Sequence, residues 1–385
     1  MQTPARFEDV LAKWPSAKVR DLIMSRTEED AAAALRATGA WSPETLAALL
    51  SPAAERFLEQ LKALSADWTR RRFGRTVQVF DPLYVSNYCC NGCRYCGFNA
   101  RSRDTVRRAL SLEEAEAEAR ALAASGVKNI LLLSGEDKVR SSPEYFCRLA
   151  RAIRPLFAEV SVEIYACTED EYRELHAAGV DGMTMFQETY NPAVYREYHP
   201  FGPKADFSNR LDAYDRAARA GMAFLGLGAL LGINDWREEG FFLGLHAAWL
   251  RKRHWRCATA FSFPRIRPAH GGEPPPFPLS DAGLVQLMCA LRVSFPDSPI
   301  TVSTREAPGF REELVRLAAT KISAGAKTTP GGYTSSTGAD AQFETSDRRS
   351  VAEVLASLRA NGIDPVMKDW DGAFSAAPGA GDAAE

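Results

Sequence analysis

No apolar run in this sequence is long enough to cross a membrane. The longest, Met222 to Ile233, is broken by three glycines and falls well short of the ~20 residues a spanning helix needs. Met1 to Val10 lacks the apolar core of a secretory signal. An excess of one charge sign is also missing: 47 Lys and Arg stand against 49 Asp and Glu, for a net charge of −2. That balance gives no reason to expect nucleic acid or an anionic membrane as partner. Nor is there a disulfide framework. Of eight cysteines, four crowd together and four are scattered singly, which reads as a metal site plus isolated thiols in a reducing cytoplasm. Cys147, Cys257 and Cys289 lie in apolar surroundings and read as small buried hydrophobes. The remainder, 46% hydrophobic and 25% charged over 385 residues, suits a soluble barrel enzyme.

The crowded cysteines carry most of the information. Cys89, Cys93 and Cys96 are spaced C-x3-C-x2-C. Three thiolates on a tight loop can hold three irons of a four-iron, four-sulfur cluster and leave the fourth iron open. Clusters that only carry electrons usually have four cysteine ligands, so the spacing points to chemistry at the cluster. A structural zinc with Cys90 as fourth ligand has the right count. Against it, adjacent cysteines point in opposite directions on an extended loop, and no second CxxC or His pair occurs. Cys90 is read as a bystander.

Residues 1–76 form a helical extension by pattern, with Ser51 capping a helix that has Pro52 at its first position. From 77 to 333, short apolar runs alternate with amphipathic stretches. Candidate strands are 83–86, 130–134, 160–165, 182–186, 224–230, 259–263, 300–303 and 321–323. Helices over 112–124 and 169–178 stop at Gly126 and Gly179, and one over 282–295 stops before Pro296. Eight alternations predict a parallel (β/α)8 barrel of TIM type, whose strand C-terminal ends carry the site. The cysteine loop follows the first strand, so it belongs at that mouth. The segment 334–374 reads as a polar loop and one helix, 351–359. The tail 375–385, rich in Gly, Ala and Pro, reads as disordered.

With an aromatic, Tyr95, before its last cysteine, the motif resembles that of the radical S-adenosylmethionine enzymes. In that family the cofactor's amino and carboxylate groups chelate the open iron, and the cofactor carries the hard chemistry while the protein orients it. Ser134-Gly135-Glu136 resembles the family's Gly-Gly-Glu element, which binds the methionyl ammonium; Ser stands where the first Gly is usual. Glu163 is a candidate ribose ligand or a salt-bridged structural carboxylate.

A longer set of motifs narrows the resemblance. Phe73-Gly74, Leu83-Tyr84-Val85-Ser86-Asn87, Cys96-Gly97-Phe98, Gln187-Glu188-Thr189-Tyr190, Gly226-Leu227-Gly228, Ser303-Thr304-Arg305-Glu306, Lys327 to Tyr333 and Lys368-Asp369-Trp370-Asp371 together resemble the tyrosine lyase family of thiamine biosynthesis, the 2-iminoacetate synthases. The similarity runs from about Phe7 to Trp370. It implies cleavage of L-tyrosine between Cα and Cβ to 2-iminoacetate and p-cresol, with methionine and 5′-deoxyadenosine as co-products. It also implies thiazole synthase as partner and cofactor contacts from Tyr95 and Phe98. By the same resemblance Arg305 and Ser323 bind the substrate carboxylate, while Glu188 and Tyr190 take cofactor- and substrate-side positions. An arginine fork suits a carboxylate, and Ser303 could add a hydroxyl; a salt bridge from Arg305 to Glu306 or Glu312 is the alternative. Arg210 resembles an arginine near the cofactor carboxylate, or is a solvated helix residue. Arg101, Arg103, Arg107 and Arg108 read as a solvated face that could meet an acidic donor such as flavodoxin, and His270 as an exposed loop histidine.

Three other readings compete. A tyrosine-cleaving hydrogenase maturase needs cysteines for a second cluster, and none follows Cys289. A tryptophan lyase would share the carboxylate clamp. A non-catalytic iron–sulfur or zinc scaffold would need only the cysteines.

Overall fold

The computed structural model describes residues 6–37, 39, 41–334 and 338–368. Eight strands are parallel: β1 (Thr76–Ser86), β2 (Asn129–Ser134), β3 (Glu159–Glu163), β4 (Gly182–Glu188), β5 (Phe224–Ala229), β6 (Ala258–Ser262), β7 (Ile300–Val302) and β8 (Lys321–Ser323). Each pairs with the next, and β1 pairs with both β2 and β8, which closes the ring. This is the expected barrel. Its helices start where side chains accept the free N–H groups of a first turn: Ser111, Thr168 and Ser350 each complete a capping box. The helices Leu112–Ala124 and Glu169–Ala177 are followed by Gly126 and Gly179 at φ of +94° and +100°, the left-handed turn that favours glycine.

The N-terminal extension packs outside the ring against the helices Trp236–Arg253 and Asp281–Ser294. The helix expected from Pro52 does begin there, capped by Ser51, but its first turns are 3₁₀ over Pro52–Phe57 before α-helix over Leu58–Phe73. Helix packing is close enough at Gly244 that a Cβ would stand 2.3 Å from Leu46.

Two features lie in the segment expected to be loop and one helix. The helix Val351–Ala360 follows β8 and packs beside Phe310–Leu317, where Ser357 donates to Glu312 at 2.7 Å. Beyond it a short ninth strand, β9 (Asp364–Val366), pairs in parallel with the start of β1. The end of the Lys368–Asp371 motif and the tail 375–385 lie outside the described residues.

Strand alternation turns Gln78, Phe80, Pro82 and Tyr84 of β1 into the lumen and Val79, Leu83 and Val85 toward the helices. A barrel lumen is normally filled by branched apolar side chains. Here small residues, Ser161, Thr184, Gly226, Ala260 and Thr301, line it and leave a cavity of about 430 Å³. Its floor is a buried ion pair: Lys321 donates to Glu159 at 2.6 Å, and Gln78 and Ser161 each donate to the same carboxylate at 3.0 Å. Replacing Lys321 by Met strands that carboxylate and should cost about 3 kcal/mol. The double variant Lys321→Met/Glu159→Gln should recover most of the loss, measured by chemical denaturation.

Candidate functional site

Cys89, Cys93 and Cys96 all line the cavity mouth. Their loop is tied in place from several sides. Arg107 donates to the backbone oxygens of Phe98 at 3.0 Å and Asn99 at 2.7 Å, so this member of the basic run faces inward rather than water. Tyr84, Phe98 and Leu133 pack an apolar shell around Cys89 and Cys96. N–H donors approach two of the sulfurs, the Phe98 amide to Cys96 at 3.4 Å and the Asn91 amide to Cys89 at 3.6 Å. Burial pushes the Cys93 and Cys96 thiols up, to about 12 and about 11. Three thiols lining one cavity mouth, sulfur-directed donors and an apolar surround fit an iron–sulfur cluster. Cys90 does not join them: it is exposed and its thiol donates to the Glu136 backbone oxygen at 3.0 Å.

The loop after β2 lies directly against the cysteines. A Cβ on Gly135 would meet the Tyr88 backbone oxygen at 2.2 Å, so only glycine allows that approach. The Glu136 carboxylate accepts from Asn91 at 2.7 Å and lines the cavity. Glu163, at the end of β3, also lines it. Burial, then the nearby Glu188, lifts its carboxyl to about 7, and no side chain among the described residues ion-pairs it. The alternative of a salt-bridged structural Glu163 therefore does not hold.

Glu188 is the one non-glycine described residue with positive φ, +69°, where the β4–β5 register shifts. Such a conformation costs roughly 1–3 kcal/mol and must be held by its surroundings. The holders are Lys204 at 2.5 Å and Arg210 at 3.5 Å. Burial would raise the Glu188 carboxyl, but these two cations keep it below its usual value. Arg210 is buried, with its Nε donating to the Phe186 oxygen at 2.7 Å; the solvated reading of this residue is corrected. Lys204, which sequence reasoning passed over, faces the same cavity. Tyr95 lines it too, its phenol 2.8 Å from His199 Nε2; burial lowers that histidine to about 3, which keeps it neutral.

Across the cavity stand Ser303, Arg305 and Ser323. The carboxylates that could have paired with Arg305 are engaged elsewhere. Glu306 binds Arg265 and Arg267, and Glu312 binds Arg349. The Arg305 guanidinium donates to the Arg265 backbone oxygen at 3.2 Å and lies over Phe343, 3.4 Å from the ring centroid. Its fork is thus half-buried, cavity-facing and without a carboxylate partner among the described residues. Tyr190 is not part of the cavity wall. Its phenol is buried 2.9 Å from His246 Nδ1 and its amide donates to Glu239 at 2.9 Å; its expected place in the site is corrected to the surrounding core. His270 is exposed and meets Asp104 at 2.9 Å.

Known proteins resemble this chain in sequence and fold. A radical SAM superfamily model matches residues 83–242, and a Biotin and Thiamin Synthesis associated domain model matches 262–364. The 2-iminoacetate synthase of Escherichia coli (strain K12) is 40% identical over 359 residues, which cover 93% of this chain and 94% of that one. The chain belongs to the 2-iminoacetate synthase family. The same enzyme of Salmonella typhimurium is 39% identical over 93% of this chain and 94% of its own. The crystal structure of HydG, a maturase of the [FeFe]-hydrogenase, superposes with a TM-score of 0.87 at 33% identity, covering 91% of this chain and 80% of that one. Radical SAM membership implies an iron–sulfur cluster and S-adenosylmethionine. No described helix is long and apolar enough to cross a membrane.

Anaerobic reconstitution with iron and sulfide tests the ligand set. Cys89→Ala, Cys93→Ala and Cys96→Ala should each lose the brown chromophore and most bound iron, whereas Cys90→Ala should retain both, read by absorbance and iron content per chain.

Proposed function

We propose that this chain, like the family to which it belongs, cleaves L-tyrosine between Cα and Cβ. The products are 2-iminoacetate and p-cresol, with 5′-deoxyadenosine and methionine as co-products. The observation that carries the proposal is Arg305, a half-buried, cavity-lining guanidinium with no carboxylate partner among the described residues, in the same cavity as three cysteine thiols. An amino-acid substrate brings the missing carboxylate.

In this reading Cys89, Cys93 and Cys96 hold a [4Fe–4S] cluster with one iron left to S-adenosylmethionine. When bound, that pair supplies a primary carbon radical able to take hydrogen from the substrate amine. The chain's own groups bind and orient. Glu136, brought close by Gly135, faces the cofactor's ammonium. Glu163, with its carboxyl near 7, can share a proton with ribose hydroxyls. Glu188 and Arg210 form the opposite wall, and Tyr95 and Phe98 close the space above the cysteines. Arg305 holds the substrate carboxylate with Ser303 and Ser323 beside it. The glycines and small residues of the lumen leave room for the aromatic side chain.

An imine in water hydrolyses, which favours direct capture by a second enzyme; thiazole synthase is the partner we propose. Forming these products also consumes two electrons and a proton, one electron to open the sulfonium bond and one to reduce the released benzylic radical. Arg101 and Arg103 are exposed beside the cluster loop, where a flavodoxin-type acidic donor would find complementary charge.

The reduced enzyme, given S-adenosylmethionine and tyrosine without oxygen, should form p-cresol by mass spectrometry; turnover of tryptophan instead would move it to the tryptophan lyases. Arg305→Ala should still cleave the cofactor slowly while p-cresol formation falls by about a hundredfold or more.

A further inference from the structure

The mouth of the barrel is crossed by residues 338–349, a polar stretch without helix or strand. It is sewn to the loops after four strands. Beside β1, Val106 donates to Asp340 at 2.8 Å and the Gly97 amide donates to the Gln342 oxygen at 3.1 Å. Beside β8, the Gln342 amide donates to the Thr328 oxygen at 2.9 Å; beside β6, Glu344 donates to Pro268 at 2.9 Å; beside β7, Ser346 and Asp347 donate to the Thr304 oxygen at 2.9 and 3.1 Å. Asp347, fully buried, ion-pairs with both Arg311 and Arg349 and anchors the far end. The crossing is so close that a Cβ on Gly97 would meet the Ala341 oxygen at 2.7 Å. Two side chains of this strap enter the cavity. Gln342 accepts from the Tyr84 phenol at 2.7 Å, and the Phe343 ring lies under the Arg305 guanidinium carbon, 3.4 Å from centroid to carbon.

We propose that Phe343 is a positioning residue for substrate binding: its ring fixes the plane of Arg305, and the strap exists in part to hold that ring there. The inference rests on Arg305 binding the substrate carboxylate. A guanidinium on a flexible stem with one hydrogen bond to a backbone oxygen has several rotamers open to it. A bidentate carboxylate needs one of them. An aromatic face at 3.4 Å selects the plane without occupying the N–H groups on the fork's edge, and it attracts the cation. A carboxylate in that place would select a rotamer too, but would consume the donors meant for substrate.

The test uses reconstituted holoenzyme of the wild type, Phe343→Leu and Phe343→Trp. Phe343→Leu should raise the KM for tyrosine about tenfold, the equivalent of one lost cation–π contact in a desolvated site. Its iron content and its cofactor cleavage in the absence of tyrosine should stay within twofold of wild type. Phe343→Trp keeps an aromatic face and should restore most of the KM. An unchanged KM in Phe343→Leu overturns the proposal. Equal impairment of both variants with loss of iron also overturns it, since that is the signature of a strap that merely covers the cluster. A wild-type enzyme that forms no p-cresol from tyrosine fails the functional reading itself, and the proposal with it. That outcome is distinct because it appears before any variant is compared.

Discussion

A barrel that leaves its lumen hollow must stabilise every charge that lines the hole, and the structure follows from that requirement. In an ordinary barrel the lumen is a packed apolar core. Here Glu159, Glu163, Glu188, Lys204, Arg210, Arg305 and Lys321 all face inward. A buried charge without a partner is costly. Most of these are paired: Glu159 with Lys321 at the floor, Glu188 with Lys204 and Arg210 at the rim. Two are not. Glu163 gains a raised pKa and Arg305 a lowered one, burial being the main cause in both. The exceptions stand on β3 and just after β7, facing the same empty volume. That is the arrangement expected where ligands rather than protein complete the charge balance.

The pairing at the rim has a second consequence. Holding Glu188 at positive φ breaks the strict alternation at the end of β4. After the register shift, the chain turns Tyr190 away from the lumen into the layer of His246 and Phe242. The family resemblance gives Glu188 a cofactor-side and Tyr190 a substrate-side position at the end of the fourth strand. A local backbone distortion leaves no mark in hydrophobic periodicity, so the error was not avoidable from pattern alone.

Much else was legible. The eight strands, the helix stops at Gly126 and Gly179 and the position of the cysteine loop all rest on short-range signals: apolar runs, glycine punctuation and ligand spacing. The cavity-facing positions of Gly135, Glu136, Glu163 and Arg305 follow from their places at strand ends. What escaped is long-range. The partner of Arg210 is 22 residues upstream, on another element, so nothing near Asn209-Arg210-Leu211 distinguished a buried arginine from a solvated one. Lys204 sits in a three-residue 3₁₀ turn, Pro203–Ala205, too short for a period to assign it a face. β9 is three residues long and contains Pro365, a residue tolerated only at a sheet's margin. The strap around Gln342 and Phe343 reads as polar loop because its order comes from hydrogen bonds to other loops and not from its own pattern.

The strap also bears on how such a site can be both open to substrate and precise. A loop held only by its ends would let Phe343 wander, and the arginine it touches would follow. Loops are ordinarily the mobile parts of a fold. This one is fastened at Asp340, Gln342, Glu344, Ser346 and Asp347, nearly every second residue. The backbone amides of these five residues are thereby satisfied without a sheet or helix. The fastening points lie on the loops that carry the cysteines and on those that carry Arg305, Ser323 and the β6 end. The strap therefore ties the thiol side of the cavity to the side that carries Arg305. Under the proposed reaction, the distance between those two sides is what must be controlled, and the residues that span it form neither helix nor strand.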